Sequence, residues 1–335
     1  MQNQQQAKPI LEVHGLIVRF TLRDGALIAV RNVSFDLFPG ESLGVVGESG
    51  CGKSVTFLSV MRLIPTPPGK IDAVKMRFSG MDLLDASKRQ MRRIRGNRIS
   101  MVFQDPMSSL NPVLTIGRQM REGIQLHLGL SGRSLDDRCI ELLDKVGISA
   151  PEMRLKSYPH QLSGGIRQRV MIAMALSCNP SILLADEPTT ALDVTIQDQI
   201  LRLIRDLTRD LGTASVLITH NLGAVAGTTD RIMVMYAGRI VEKAPTPLLF
   251  KDPRHPYTQG LLRSIPRVDQ PAGRRLYSIS GAPPDLLRET IQGCAFAPRC
   301  PLAEEQCVAQ APSLEPFAPE HLVSCWKAAD AHQHG

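Results

Sequence analysis

The stretch that most restricts what this chain can fold into is Gly47-Glu48-Ser49-Gly50-Cys51-Gly52-Lys53-Ser54, which fits the pattern G-x-x-x-x-G-K-[ST]. A short apolar run, SLGVVG, leads into it, and VTFLSVMRLI, with helical spacing of apolar residues, leads out until Pro65-Thr66-Pro67-Pro68-Gly69 stops it. A strand, a glycine loop and a helix in that order curl successive backbone N–H groups around a phosphate, and the helix N-terminus adds partial positive charge. Lys53 is expected to reach the β- and γ-phosphates of a nucleotide and the Ser54 hydroxyl to ligate Mg²⁺, with Val55 closing the contact set. Cys51 lies beside a helix N-terminus and Lys53, surroundings that favour a thiolate.

A second constraint is ILLADEP, residues 182–188. Its apolar run places Asp186 and Glu187 at the C-terminal end of a buried strand, the edge of a parallel α/β sheet where ligands bind. Asp186 would hold Mg²⁺ through water, and Glu187 would polarise the attacking water as general base. The surrounding texture agrees with an α/β fold. Residues 10–46 read as strands with a turn at Arg23-Asp24-Gly25, and roughly 105–180 as helices broken by prolines and glycines. After SILLA, the run VTIQDQILRLIRDLTRDL reads as an amphipathic helix, ASVLIT as a strand, and RIMVMYAGRIVE as a hairpin turning at Ala237-Gly238. Buried strands alternating with helices predict a parallel sheet covered on both faces. From about residue 244 the core pattern stops, so 244–285 reads as a surface-hugging linker and 286–335 as a small appendage.

Composition excludes some alternatives. No apolar run approaches the roughly 20 residues of a membrane-spanning helix. The start, MQNQQQAKPI, is polar, which predicts no secretory signal and the cytosol as compartment. Much of the net charge of +7 sits in Lys88-Arg89-Gln90-Met91-Arg92-Arg93-Ile94-Arg95. No aromatic residue interleaves that run and only 4% of the chain is aromatic, so it reads as the solvated face of a short helix, not a base-stacking surface. Four of the seven cysteines, Cys294, Cys300, Cys307 and Cys325, crowd the C-terminal segment. In the cytosol such a cluster suggests metal before disulfides, with four free thiols as the alternative. The spacing suits zinc or an iron–sulfur cluster, although the Cys-x₂₋₄-Cys hairpin usual for zinc is missing.

The run LSGGIRQR, Leu162 to Arg169, followed by the helical VMIAMALS, resembles the signature of the ABC-type ATPases. The resemblance implies an ABC nucleotide-binding domain: a RecA-like parallel core, an antiparallel β subdomain and a helical signature subdomain. It implies that Ser163, Gly164, Gly165 and Gln168 meet the γ-phosphate of ATP held by a second ATPase subunit, two chains sandwiching two nucleotides. Gln104 in MVFQDP resembles the glutamine that senses Mg²⁺ and the membrane subunits. Asp193, in Ala191-Leu192-Asp193, resembles the loop that crosses the dimer interface, and His220 the switch histidine at the γ-phosphate. Phe20 is the candidate for stacking on adenine, although a Phe ending a strand also suits the core. Two departures are visible: Ile166 stands in place of the usual Met, and Asn221 in place of the usual Asp.

FQDPMSSLNPVLTIGRQM, MYAGRIVE, HPYTQGLLRSIP and GCAFAPRCP are similar to the ATPases of bacterial oligopeptide, dipeptide and nickel importers. That likeness implies an ATPase domain over 10–260, with its helical part at about 105–180, and a cysteine-rich C-terminal extension over 261–335. It also implies a [4Fe–4S] cluster on the four late cysteines. The expected partners are two membrane-spanning permeases, a second and related ATPase chain, and an extracytoplasmic solute-binding protein; no nucleic acid is expected. The expected place is the cytoplasmic face of the inner membrane, peripherally bound. Di- or oligopeptides are the expected cargo, with nickel complexes or other small solutes as the alternative. A soluble ABC ATPase acting on nucleic acid would carry two cassettes or a long coiled coil, and neither pattern is present.

Overall fold

The computed structural model describes residues 8–23, 25–105, 109–190, 192–265, 277–288 and 291–330. Asp24, Pro106 and Ala191 of the turn and loops read above lie outside the described residues. The strands, in chain order, are β1 (Leu11–Leu22), β2 (Gly25–Leu37), β3 (Ser42–Val46), β4 (Gly69–Asp72), β5 (Lys75–Phe78), β6 (Met81–Asp82), β7 (Ile99–Val102), β8 (Ile182–Asp186), β9 (Ala214–Thr219), β10 (Arg231–Tyr236), β11 (Arg239–Pro245), β12 (Glu315–Ala318) and β13 (His321–Val323). They are shared between two compact units, one chiefly Phe38–Ser42 with Asp85–Ile218, the other Pro9–Leu37, Leu43–Leu84 and the chain from Thr219 onward.

In the first unit β7, β8 and β9 run parallel in the order β9-β8-β7. Every residue of β8 and β9 is buried, as continuous ILLA and SVLI runs require of strands covered on both faces. Helices Ile116–Leu128, Gly132–Lys145, Gly164–Leu176 and Val194–Asp210 belong to the same unit. Their starts are written locally: Thr115, Ser163 and Asp193 each accept a first-turn amide, and Gly129 ends the first helix in the left-handed region. The basic run forms helix Lys88–Ile94, opened by a Ser87–Gln90 capping box and burying Met91 and Ile94.

The second unit holds an antiparallel sheet in the order β2-β1-β5-β6, with β4 also paired to β1. Its other strands run in the order β12-β13-β11-β10-β3. β3 lies parallel to β10, and the β10–β11 hairpin turns through Ala237 and Gly238, both at positive φ, as a tight two-residue hairpin requires.

A self-contained C-terminal appendage is not supported. β13 pairs antiparallel with β11, and β12 with β13, so the tail continues a sheet of the unit. Between these strands and the hairpin come helices Thr246–Lys251 and Pro256–Arg263, where the sequence suggested a linker. A buried carboxylate ties the pieces together. Glu242 of β11 accepts from the backbone N–H groups of Arg254 (2.7 Å) and His255 (3.0 Å) and pairs with His321 Nε2 of β13 at 2.8 Å. Nearby, Tyr236, Tyr257 and Phe296 form an aromatic cluster with centroid separations of 4.7, 5.3 and 5.4 Å. Each such pair adds about 0.5–1.5 kcal/mol beyond its burial. Sheet pairing, a buried acid and aromatic packing therefore hold the tail in the unit.

Candidate functional site

The glycine loop between β3 and helix Lys53–Val60 lies in the second unit. Its glycines answer to space. A side chain at Gly47 would run into the Met235 carbonyl, and at Gly52 (φ 96°) a Cβ would lie 2.5 Å from the Ala29 carbonyl oxygen. Lys53 is 5% exposed, and its Nζ donates to the carbonyls of Gly47 (2.7 Å) and Glu48 (3.0 Å). The loop is thus wound around the ammonium that the sequence assigns to phosphate. Glu48 is held twice: its N–H donates to Tyr257 Oη at 2.8 Å, and its carboxylate takes both ends of the Arg299 guanidinium at 2.7 and 3.0 Å. Ser54 and Val55 are half-buried in the first turn of the helix.

Cys51 corrects one expectation. It is 5% exposed, and burial raises its thiol pKa, outweighing the lowering by Lys53, whose Nζ lies 3.9 Å away. The residue is a buried thiol, not a stabilised thiolate. Phe20, half-buried on β1, pairs across to Gly69 of β4, and a Cβ there would lie 3.3 Å from its ring. His220 is exposed immediately after β9. Asn221 next to it caps helix Leu222–Val225, its Oδ1 accepting from the Gly223 amide at 2.9 Å. Asn and Asp serve that capping role alike, so the departure noted in the sequence keeps the cap.

The first unit carries the remaining candidates. Asp186, 6% exposed, ends β8, and Glu187 follows with φ 45°. A non-glycine residue in the left-handed region costs about 1 kcal/mol or more. Here Glu187 N–H donates to the Ile218 carbonyl at 2.9 Å, while Glu187 Oε2 accepts from Gln104 Nε2 at 3.0 Å and from Thr190 Oγ1 at 2.9 Å. Gln104 and Glu187 are therefore brought together, as the sequence alone could not show. Ser163 caps helix Gly164–Leu176 by accepting from the Ile166 amide at 3.4 Å, so the cap uses the backbone of residue 166 and not its side chain. Ser163 and Gly164 are exposed and Gly165 half-buried, whereas Gln168 is 1% exposed, facing inward with no protein partner for its Nε2. Asp193 caps helix Val194–Asp210 through the Ile196 amide at 2.9 Å. Tyr257 and Arg299 were missed in the sequence. Their signal is that HPYTQG and APRC keep a buried-type aromatic and a cation in a segment otherwise poor in core pattern.

Residues 30–190 match the ABC transporter family, and residues 241–307 the oligopeptide/dipeptide transporter C-terminal region. A probable peptide ABC transporter ATP-binding protein of Sinorhizobium fredii is 51% identical, over 98% of each chain. The chain belongs to the ABC transporter ATP-binding proteins. The dipeptide transport ATP-binding protein of Bacillus subtilis is 48% identical to this ATPase, over 97% of this chain and 96% of its own. The oligopeptide transport ATP-binding protein of Salmonella typhimurium is 47% identical, over 97% and 96%. Among solved structures, a dimeric ATP-binding cassette in a post-hydrolysis state with ADP and phosphate is 26% identical, with TM-score 0.62 over 70% of this chain and 98% of that one. The fold is the ABC nucleotide-binding fold, and the activity is ATP hydrolysis coupled to transport. No helix among the described residues is long and apolar enough to cross a membrane.

The iron–sulfur expectation for this ATPase is not supported by these likenesses. Among the described residues no group of three or more His, Cys, Asp or Glu side chains is arranged to hold a metal ion. Cys294, Cys300, Cys307 and Cys325 are free thiols that all line one small cavity, walled also by Phe296, Pro312 and Trp326. Burial pushes the Cys325 thiol up to about 12, with the other three cysteines adding to the rise, and it raises Cys294 and Cys300 as well. The four thiols thus line one cavity, where burial disfavours the thiolates of Cys294, Cys300 and Cys325.

Proposed function

We propose that this ATPase energises the uptake of di- or oligopeptides. The observation that carries the reading is similarity to peptide-transport ATP-binding proteins through nearly the full length, together with the match of residues 241–307 to the oligopeptide/dipeptide transporter C-terminal region. On this reading the chain works at the cytoplasmic face of the inner membrane with two permeases, a second ATPase chain and an extracytoplasmic binding protein. The ATPase domain spans 10–260, with its helical part at about 105–180, and the importer-specific region spans 261–335.

The residues divide the work as follows. Gly47 to Val55 cradle the ATP phosphates, with Lys53 as the counter-charge, and Phe20 packs on the adenine. Glu187 takes the proton of the attacking water. Gln104 orients Glu187 through their hydrogen bond, and His220 contacts the γ-phosphate. Ser163, Gly164, Gly165, Gln168 and Asp193 complete the site of a second chain. Ser54, Asp186 and Gln104 offer hydroxyl, carboxylate and amide oxygens, hard donors that suit Mg²⁺; the ion would neutralise phosphate charge. The four tail cysteines are a [4Fe–4S] site in this reading, supported by their shared cavity. Iron and acid-labile sulfide in anaerobically purified protein test that part, and their absence removes it.

The test of the whole is reconstitution with permeases and binding protein, scoring uptake of labelled di- and oligopeptides and peptide-stimulated ATPase. Stimulation by nickel complexes or sugars, with none by peptides, would refute the substrate class.

A further inference from the structure

Glu48 is the second residue of the phosphate loop, and nothing in the loop itself holds its side chain. A carboxylate beside an anion-binding loop is unfavourable on two counts: it repels phosphate, and it competes for the nearest cation. That cation is Lys53, whose Nζ already lies 3.0 Å from the Glu48 carbonyl.

The C-terminal region removes both problems. Arg299 meets the carboxylate with a two-pronged ion pair, Nη1 to Oε2 at 2.7 Å and Nη2 to Oε1 at 3.0 Å, its side chain 4% exposed against 26% for Glu48. Parallel N–H···O pairs of this kind fix direction as well as charge. The guanidinium is itself immobilised. Nε donates to the Ser280 carbonyl at 2.9 Å, Nη1 also to Tyr236 Oη at 3.2 Å, and Nη2 also to the Ile279 carbonyl at 3.4 Å. The loop's main chain is caught at the same residue, because Glu48 N–H donates to Tyr257 Oη. Tyr257 is fully buried in the aromatic cluster with Tyr236 and Phe296, so its hydroxyl cannot swing away. The tail residues Pro283 to Leu287 line a cavity with Ser49, Gly50 and Cys51, so the same region borders the loop further along.

We propose that Arg299 and Tyr257 are positioning residues for the phosphate loop, so that the stretch 241–307, which holds both, sets the affinity of this ATPase for ATP. The inference rests on the reading that Gly47–Ser54 binds the ATP phosphates. Arg299 keeps the Glu48 charge away from Lys53 and from the incoming γ-phosphate. Tyr257 holds the backbone turn that gives the following amides their direction. Both are contributed from beyond the nucleotide-binding motifs, by residues whose contacts with Glu48 span 209 and 251 positions of sequence.

The test is equilibrium ATP binding to the full chain, in Arg299→Gln, Arg299→Lys, Glu48→Gln, the double variant Arg299→Gln with Glu48→Gln, and Tyr257→Phe. Losing a charged hydrogen-bonded partner is expected to raise the Kd for ATP about tenfold in Arg299→Gln. Arg299→Lys, with charge but no fork, should fall between that variant and the native protein. The decisive arm is the double variant: with the orphaned carboxylate gone, affinity should return to within about threefold of native. A merely structural arginine would not be rescued that way. Native affinity in Arg299→Gln overturns the proposal. So does equal weakness of Arg299→Gln and the double variant when both melt like the native protein. Lys53→Ala is the separate control, expected to lose ATP binding. If it binds normally, the phosphate-loop reading has failed, whatever Arg299 does.

Discussion

Glu242 offers the sharpest test of how the C-terminal region is held. It is fully buried, and three donors converge on it: the amides of Arg254 and His255 and the ring of His321. In Glu242→Ala all three lose their acceptor in a place water cannot readily reach. Each abandoned buried donor costs about 1–3 kcal/mol, and removing one partner of a buried pair costs about 3–5 kcal/mol in all. Because the two amides precede helix Pro256–Arg263 and His321 opens β13, the damage should be to the tail first. We expect a melting temperature lower by about 4–7 °C, early loss of the Trp326 fluorescence signal, and amide exchange rising over β12, β13 and 256–263 while β7 to β9 stay protected. Glu242→Gln keeps one carbonyl and should lose roughly half as much. A loss below about 1 kcal/mol, as for an exposed position, would refute the reasoning: the tail would then be held by something other than this carboxylate.

Further outcomes follow from the site. Glu187→Gln should still bind ATP yet hydrolyse it about 10²–10⁴-fold more slowly, since the amide cannot take a proton; near-native steady-state turnover with this chain as the sole competent site would refute the assignment. Cys51, buried and with its pKa raised by burial, should resist alkylation at pH 7 even without nucleotide, which mass-resolved labelling against an exposed thiol checks. His255 is buried with its pKa pushed down to about 4, by desolvation above all. Its folded value lies below the unfolded 6.5, so the neutral ring's stability is present above about pH 6.5 and is lost as pH falls toward 4. That is worth about 3 kcal/mol. Denaturant melts from pH 7 to 4 should show the loss, and His255→Asn, which can still accept the Tyr257 amide, should flatten it.

The parts of the fold that read directly from sequence are those where pattern and burial coincide. SLGVVG, SILLA and ASVLIT became β3, β8 and β9 because unbroken apolar runs suit strands covered on both faces. The helix Val194–Asp210 buries Ile200, Leu201 and Ile204 at helical spacing, and Ala237-Gly238 turned the hairpin. The short strands β4 to β6 and the tail strands carry two to four residues each, too few for a period to register. Glu242 and His321 are a polar pair whose meaning exists only once β11 and β13 are side by side. The phosphate loop, the carboxylates and the Ser163-capped helix announce themselves through spacing. Arg299 does not, because its partner is 251 residues away. Cys51 misled for a related reason: charge neighbours are visible in a sequence, whereas the burial that outweighs them is not.

The distance between Glu48 and its holders has a consequence for how the protein is made. The phosphate loop leaves the ribosome early, while Tyr257 and Arg299 follow 209 and 251 residues later. At ordinary rates of synthesis that gap is on the order of tens of seconds. During it the loop's acidic second residue has neither of these two partners. If Tyr257 and Arg299 position the loop as proposed, full affinity for nucleotide arrives near the end of translation, and a product truncated before residue 299 would carry every motif of an ATPase with a Kd for ATP about tenfold higher.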